Sequence, residues 1–348
     1  MTRLVKSPIV LIYIYRVFGI IQFCDSRSEI AKFVSRHVCI LFYLFYIYIS
    51  VQCYQSFKTI IFTGIFFYFD FAIMCTSYVL MFTLISNFYF RNDQLEKVLF
   101  KLKSICPKSE SFGSNFIRLM VTVSAFFFIF LLFLVEDMPL VCSMELFLPL
   151  VVASFNHVFL YDVMAAIFSK FQTINNHINS ISVAEIENLI ILHSELTDMA
   201  THFFYFFEIP TIVGLVNWFG YALNMIYYIL YVLINSISLN MWFFAIFNIS
   251  ILSFLFFWLF SIIWALEQTR KKAKETLSLI HDAWNEKILK RNIDSEARHL
   301  ILLSVRLFVS QLKFSARNYF NVDWSFFHLA LSAIATYVII LVQFNFKP

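Results

Sequence analysis

Long apolar runs, separated by short polar or charged stretches, set the pattern of this chain. Seven runs reach about 20 residues, the length a helix needs to cross ~30 Å of hydrocarbon. They lie near 38–57, 62–90, 117–135, 145–168, 208–234, 241–266 and 324–346. The second is long enough to tilt or to project beyond the bilayer. None alternates polar and apolar positions as a membrane barrel does. Runs such as Phe126-Phe127-Phe128 are apolar on every face. The pattern predicts an all-α membrane protein with seven transmembrane helices.

The polar stretches between the runs orient it, because basic connections stay in the cytoplasm. Arg3 to Arg36 precede the first run, Arg91 to Lys108 follow the second, and Arg270 to Arg317 precede the last. The alternate connections hold Lys58, then Glu136 and Asp137, then no charge of either kind between the fifth and sixth runs. All of the 26 Lys and Arg residues except Lys58, Arg118 and Lys347 therefore fall on one side. This predicts a cytoplasmic N-terminus and an extracellular C-terminus. The acidic connection 170–207, with Glu185, Glu187, Glu195 and Asp198, is cytoplasmic by alternation.

The predicted organisation follows. Residues 1–37 form a cytoplasmic or interfacial segment, in which Arg16 interrupts an apolar run too early for a cleaved leader. Transmembrane helices one to four occupy 38–168, and a cytoplasmic helical extension occupies 169–207. Helices five and six occupy 208–266, a basic and helical cytoplasmic segment 267–322, and the last helix 323–348. The inner connections carry apolar seams at helical spacing. Leu189, Leu192, Leu196, Met199 and Phe203 make one, and Leu277, Ile280, Trp284 and Ile288 a second. Ile301, Val305, Phe308 and Leu312 make a third, after the helix-start pair Asp294-Ser295. Helices four, five and six are thus expected to run on below the membrane as a bundle.

Composition agrees with a membrane class. Hydrophobic residues make up 61% and charged ones 14%, against ~25% charged in soluble domains. A net charge of +4 is too small to suggest nucleic acid as a partner, and membrane lipid takes its place. The eight His are scattered, and no G-x-S-x-G or G-x-G-x-x-G occurs, so neither an enzyme nor a cofactor is expected. A receptor of G-protein-coupled type has seven helices but an outside N-terminus, which would put the basic connections on the wrong side. No internal repeat supports an inverted-repeat transporter. Of the six Cys, only Cys53 and Cys142 lie near the outer face, and their pairing depends on a distance the sequence does not give.

The last run carries an unusual polar stripe. At about 100° per residue, His328, Ser332, Thr336, Ile339 and Gln343 share an arc of roughly 80°. Polar groups in hydrocarbon are costly unless partnered. The stripe therefore faces either other helices or a water-filled pore. One helix per chain encloses a pore only if several chains surround an axis. A small-molecule pocket needs aromatic walls with a few polar groups. The candidates are Asn156, Trp218, Asn224, Tyr227 and Trp242, with Asp70, a carboxylate in mid-span. Tyr and Trp also gather at membrane interfaces with no ligand at all.

Three segments carry a resemblance. Thr336-Tyr337, five apolar residues and Gln343-Phe344 are similar to the signature that ends insect gustatory receptors. Ser315-Ala316-Arg317-Asn318-Tyr319-Phe320-Asn321-Val322-Asp323 resembles the pattern preceding the family's last helix. Tyr15-Arg16-Val17-Phe18-Gly19-Ile20 resembles its N-terminal segment. The resemblance implies a ligand-gated cation channel of the insect chemoreceptor superfamily, in the plasma membrane of chemosensory neurons. It implies four subunits, as a homotetramer or a heteromer with related receptors, opened by a small-molecule tastant. The last helix would line the pore, with Gln343 and Phe344 at the gate and Thr336 and Tyr337 deeper along it; the polar stripe adds Ser332 and Ile339 as pore candidates. Sugar-receptor members carry an acidic residue after the Thr-Tyr pair. Val338 stands there, which points to a bitter or orphan ligand. Insect odorant receptors share the topology but generally lack the signature, and an odorant-receptor-like subunit is the alternative.

Overall fold

In a computed structural model the described residues are almost entirely helical. The structure describes residues 37, 40–41, 43–52, 65–105, 140–178, 183–235, 239–289, 302, 305, 308, 312–317 and 319–345. Residues 43–52 are helical. Then follow α1 (Ile65–Ile105), α2 (Leu140–Ile178), α3 (Val183–Asn235) and α4 (Leu239–Leu289). A hairpin of β1 (Ser315–Ala316) and β2 (Phe320–Asn321) leads into α5 (Trp324–Asn345). The third apolar run, the segment up to residue 36 and Cys53 lie outside the described residues, as does the side chain of Cys142.

The helices overrun the bilayer. At 1.5 Å per residue the 53 residues of α3 extend ~80 Å, well over twice the hydrocarbon thickness. The seams explain the excess. Leu196, Met199 and Phe203 are buried, with Leu189 and Leu192 packed beside them. Ile280 is buried and Leu277 packs against the same core; the side chains of Trp284 and Ile288 lie outside the described residues. An apolar side chain withdrawn from water here contributes on the order of 1.5–3 kcal/mol. Aromatic rings fill the centre, where Phe203 meets Phe207 at 5.0 Å and Phe159 at 5.8 Å.

Three features differ from the sequence reading. Arg91 to Ile105 continue α1 as helix, an inner extension that the sequence reading gave only to helices four, five and six. Leu95 is buried beneath them, and Lys101 lies 3.8 Å from Glu195 of α3. Both partners of that pair are about half exposed, so it adds little stability. The third seam divides: Val305 and Phe308 are exposed together with Leu302, whereas Leu312 is buried in its own chain. Helix does not continue to residue 322 either, because 312–323 is the hairpin and its flanks.

Some buried polar groups are satisfied between helices. Asn217 of α3 accepts hydrogen bonds from Thr76 Oγ1 at 2.8 Å and Ser77 Oγ at 3.1 Å, both on α1. Pro210 lies inside α3 and has no N–H to give to the carbonyl of Phe206, four residues back. The Asn87 side-chain amide of α1 donates to that carbonyl instead, at 2.5 Å. Asn87→Leu would leave the carbonyl buried and unpaired, at a cost of about 1–3 kcal/mol. We expect this variant to melt several degrees lower in detergent by tryptophan fluorescence. In a Pro210→Ala background, where a backbone N–H is restored, the same substitution should cost markedly less. Equal losses in both backgrounds would show that the amide does not serve the proline.

Candidate functional site

The last helix is set in place by its own entry. β1 and β2 pair antiparallel, Ser315 with Asn321 and Ala316 with Phe320. The Tyr319 N–H donates to the Ala316 carbonyl at 2.9 Å, and the Val322 N–H to the Phe314 carbonyl at 2.9 Å. Within the turn Arg317 has φ 48°, the left-handed region that L-residues seldom enter. Its backbone N–H is held by the carboxylate of Glu208, a buried residue of α3. Asp323 then caps α5, as its Oδ1 accepts from the Phe326 N–H at 3.1 Å. Phe320 stacks on Phe326 with centroids 4.7 Å apart, closing the joint.

α5 packs on the chain through one face only. Ile334 is buried, and Ala330 and Val338 pack against the core near it. The Phe219 ring of α3 meets Tyr337 at 6.1 Å. The opposite face is the polar stripe. His328, Ser332, Thr336, Ile339 and Gln343 are all exposed. The two hydroxyls turn back on their own helix: Ser332 Oγ donates to the His328 carbonyl and Thr336 Oγ1 to the Ser332 carbonyl, each at 2.9 Å. The stripe thus takes its polarity from side chains that no other described helix of the chain covers. Phe344 belongs to the last turn of α5, and its side chain lies outside the described residues.

The pocket candidates fall into three groups. Asn156 on α2 and Trp218 on α3 are buried, and neither Asn156 Oδ1 nor Trp218 Nε1 has a hydrogen-bond partner among the described residues. Such atoms are costly in a dry interior, and a polar ligand or water relieves them. Asn224 and Tyr227 are buried higher on α3. Trp242 stands apart, exposed near the start of α4, and the side chain of Asp70 lies outside the described residues. The structure adds Trp258 of α4, which sequence reasoning missed. It is buried, its Nε1 has no partner among the described residues, and its ring lies 6.1 Å from His157. Trp218 meets the same helix edge-on at Phe256, 5.2 Å away. α4 thereby forms a common wall for residues on α2 and α3. An indole N–H inside the run Phe254–Phe260 was the signal for Trp258.

Two solved structures of the olfactory receptor OR5 of the insect Machilis hrabei share the fold. The complex with eugenol matches at TM-score 0.58 and 12% identity, over 97% of this chain and 96% of that one. The other structure matches at TM-score 0.54 and 14% identity, over 97% and 87%. No curated protein matches in sequence. The family model of the 7tm chemosensory receptors matches residues 9–347. That match spans nearly the whole chain, which therefore belongs to the 7tm chemosensory receptor family.

Proposed function

We propose that the protein is a gustatory-type receptor: a subunit of a ligand-gated cation channel, opened by a small-molecule tastant, with α5 as the pore wall. Membership of a chemosensory receptor family makes it a receptor and not an enzyme. The observation that carries the channel reading is the exposed stripe from His328 to Gln343 on a helix whose other face is packed. A stripe of hydroxyls and an amide gains little from lipid but is well suited to water. Four chains around an axis would turn each stripe residue into a ring. Leu302, Val305 and Phe308 offer an exposed apolar face for contacts between subunits, as a homotetramer or with related chains. The orientation read from the Lys and Arg distribution places Met1 in the cytoplasm and the Gln343 ring near the outside, in the plasma membrane of a chemosensory cell.

The ligand reading rests on Asn156, Trp218 and Trp258, with Asn224 and Tyr227 above them. The insect olfactory receptor OR5 occurs in complex with eugenol, which supports a small organic ligand here. Its shared fold favours, as a second reading, an odorant-type subunit. The Thr-Tyr to Gln-Phe signature favours the gustatory type, and Val338 a bitter or orphan ligand rather than a common sugar.

Two outcomes are expected in oocytes under voltage clamp with a tastant panel. Gln343→Glu should place a ring of negative charge at the constriction and raise divalent permeation or block. Phe344→Ala should raise current without ligand, since a smaller apolar ring excludes water less well. Wild-type reversal potentials and basal currents in both variants, at matched surface expression, would remove these residues from the pore.

Asn156→Leu separates ligand contact from packing. It removes a buried oxygen that has no partner among the described residues, so thermal stability should hold or rise. Half-maximal tastant concentration should rise about tenfold, as one lost hydrogen bond of ~1.4 kcal/mol predicts. An unchanged dose–response curve would take Asn156 out of the pocket.

A further inference from the structure

A cavity of about 420 Å³ opens among α3, α4 and the chain entering the hairpin. This is the size of a small-molecule site. Its wall includes His193 from α3, Arg270, Lys271 and Lys274 from α4, and Lys313 ahead of β1. The apolar stretch of α4 ends at Leu266. From there to Lys274 the helix descends about 12 Å at 1.5 Å per residue. On the orientation proposed above, that is the depth of the inner lipid headgroups.

The charges around this opening do not balance. Glu267, also in the wall, is paired with Arg270 at 2.7 Å. Lys272, which is not in the wall, pairs with Glu275 at 2.6 Å. Lys271, Lys274 and Lys313 have no ion-pair partner among the described residues. Three cations on one rim without a described ion-pair partner repel each other, and an anion carrying several charges relieves that repulsion.

His193 adds a second, independent sign. The ring is 3% exposed. Its Nε2 donates to the Ala273 carbonyl at 3.0 Å, since a carbonyl only accepts. Nδ1 has no hydrogen-bond partner among the described residues. Phe171 packs 4.9 Å from the ring and limits its reorientation. In the neutral form Nδ1 accepts from a P–O–H group, and after protonation it donates to a phosphate oxygen. A phosphate monoester, with a second pKa of about 6, keeps the first option in part of its population near neutral pH, whereas a carboxylate ligand does not.

We propose that this cavity binds a phosphate-ester polyanion: a small polar ring carrying two or more phosphate groups. Lys271, Lys274 and Lys313 supply the charge, and His193 completes the phosphate shell. A lipid headgroup of the inner leaflet and a soluble inositol phosphate share this chemistry. The cavity is too small for a folded protein partner.

The test uses the full-length receptor purified in detergent at physiological salt. It is titrated by thermophoresis with inositol hexakisphosphate and, separately, with short-chain phosphatidylinositol bisphosphate. At least one probe should bind. Combined Lys271→Gln, Lys274→Gln and Lys313→Gln should weaken binding by about tenfold or more. Leu277→Trp, which fills the cavity without changing charge, should weaken it comparably. Lys97→Gln, Lys103→Gln and Lys108→Gln, which remove equal charge from another connection, should leave it unchanged. Binding of the lipid alone assigns the site to the bilayer, and binding of the soluble probe assigns it to the cytoplasm; both support the cavity. The proposal is overturned if neither probe binds the wild type. It is equally overturned if both triple variants lose the same affinity, or if Leu277→Trp binds as the wild type does. Matching elution volumes confirm that each variant is folded.

Discussion

Hydrocarbon offers no hydrogen-bond partner, and the architecture of this receptor follows from that constraint. It makes every described span a helix, because only a helix satisfies its own backbone. It also governs the polar side chains within the spans. Asn217 gathers Thr76 and Ser77 across a helix contact, and Asn87 takes the carbonyl that Pro210 leaves without a donor. Ser261 donates to the Phe257 carbonyl and Thr269 to that of Ala265, each on its own helix. α5 departs from this economy at Gln343, whose amide has a bond neither to its own helix nor to a described neighbour in the hydrogen-bond pattern, on a face the chain leaves open. Such an open amide suits the water or the neighbouring subunit that the proposed pore would supply.

α3 ties the proposed ligand site to that helix. It carries Trp218, Asn224 and Tyr227 among the pocket candidates. One residue from Trp218, Phe219 meets Tyr337 of α5, and further down Glu208 holds the Arg317 turn that launches α5. A ligand that favours one position of α3 therefore has two direct contacts through which to bias the last helix. Population shift of this kind requires only that the ligand prefer one arrangement over the other.

The described spans and the seam of α3 were legible in the sequence because they are local and periodic. A run of 20 apolar residues needs no distant partner to be read, and Leu196, Met199 and Phe203 announce a buried stripe by spacing alone. The polar stripe of α5 was legible for the same reason. The hairpin was not. Its turn contains no Gly, and the residue at positive φ is an arginine held by a carboxylate 109 positions earlier in the chain. No local pattern encodes that. Leu312 likewise fits the spacing of Val305 and Phe308, yet it turns into its own chain once the helix has ended. The cavity beside His193 depends on three separate segments meeting, and only its basic residues were visible beforehand.

The claim on which the account turns is that the stripe of α5 faces an aqueous pore while its other face is packed. Cysteine accessibility tests this directly. Ser332→Cys, Thr336→Cys and Gln343→Cys channels are exposed during tastant application to a charged, membrane-impermeant thiol reagent, beside Ile334→Cys and Val338→Cys. The account predicts that current changes irreversibly in the first three and stays constant in the last two. Modification of the buried positions with the stripe unreactive, or equal reaction at both faces, would contradict it.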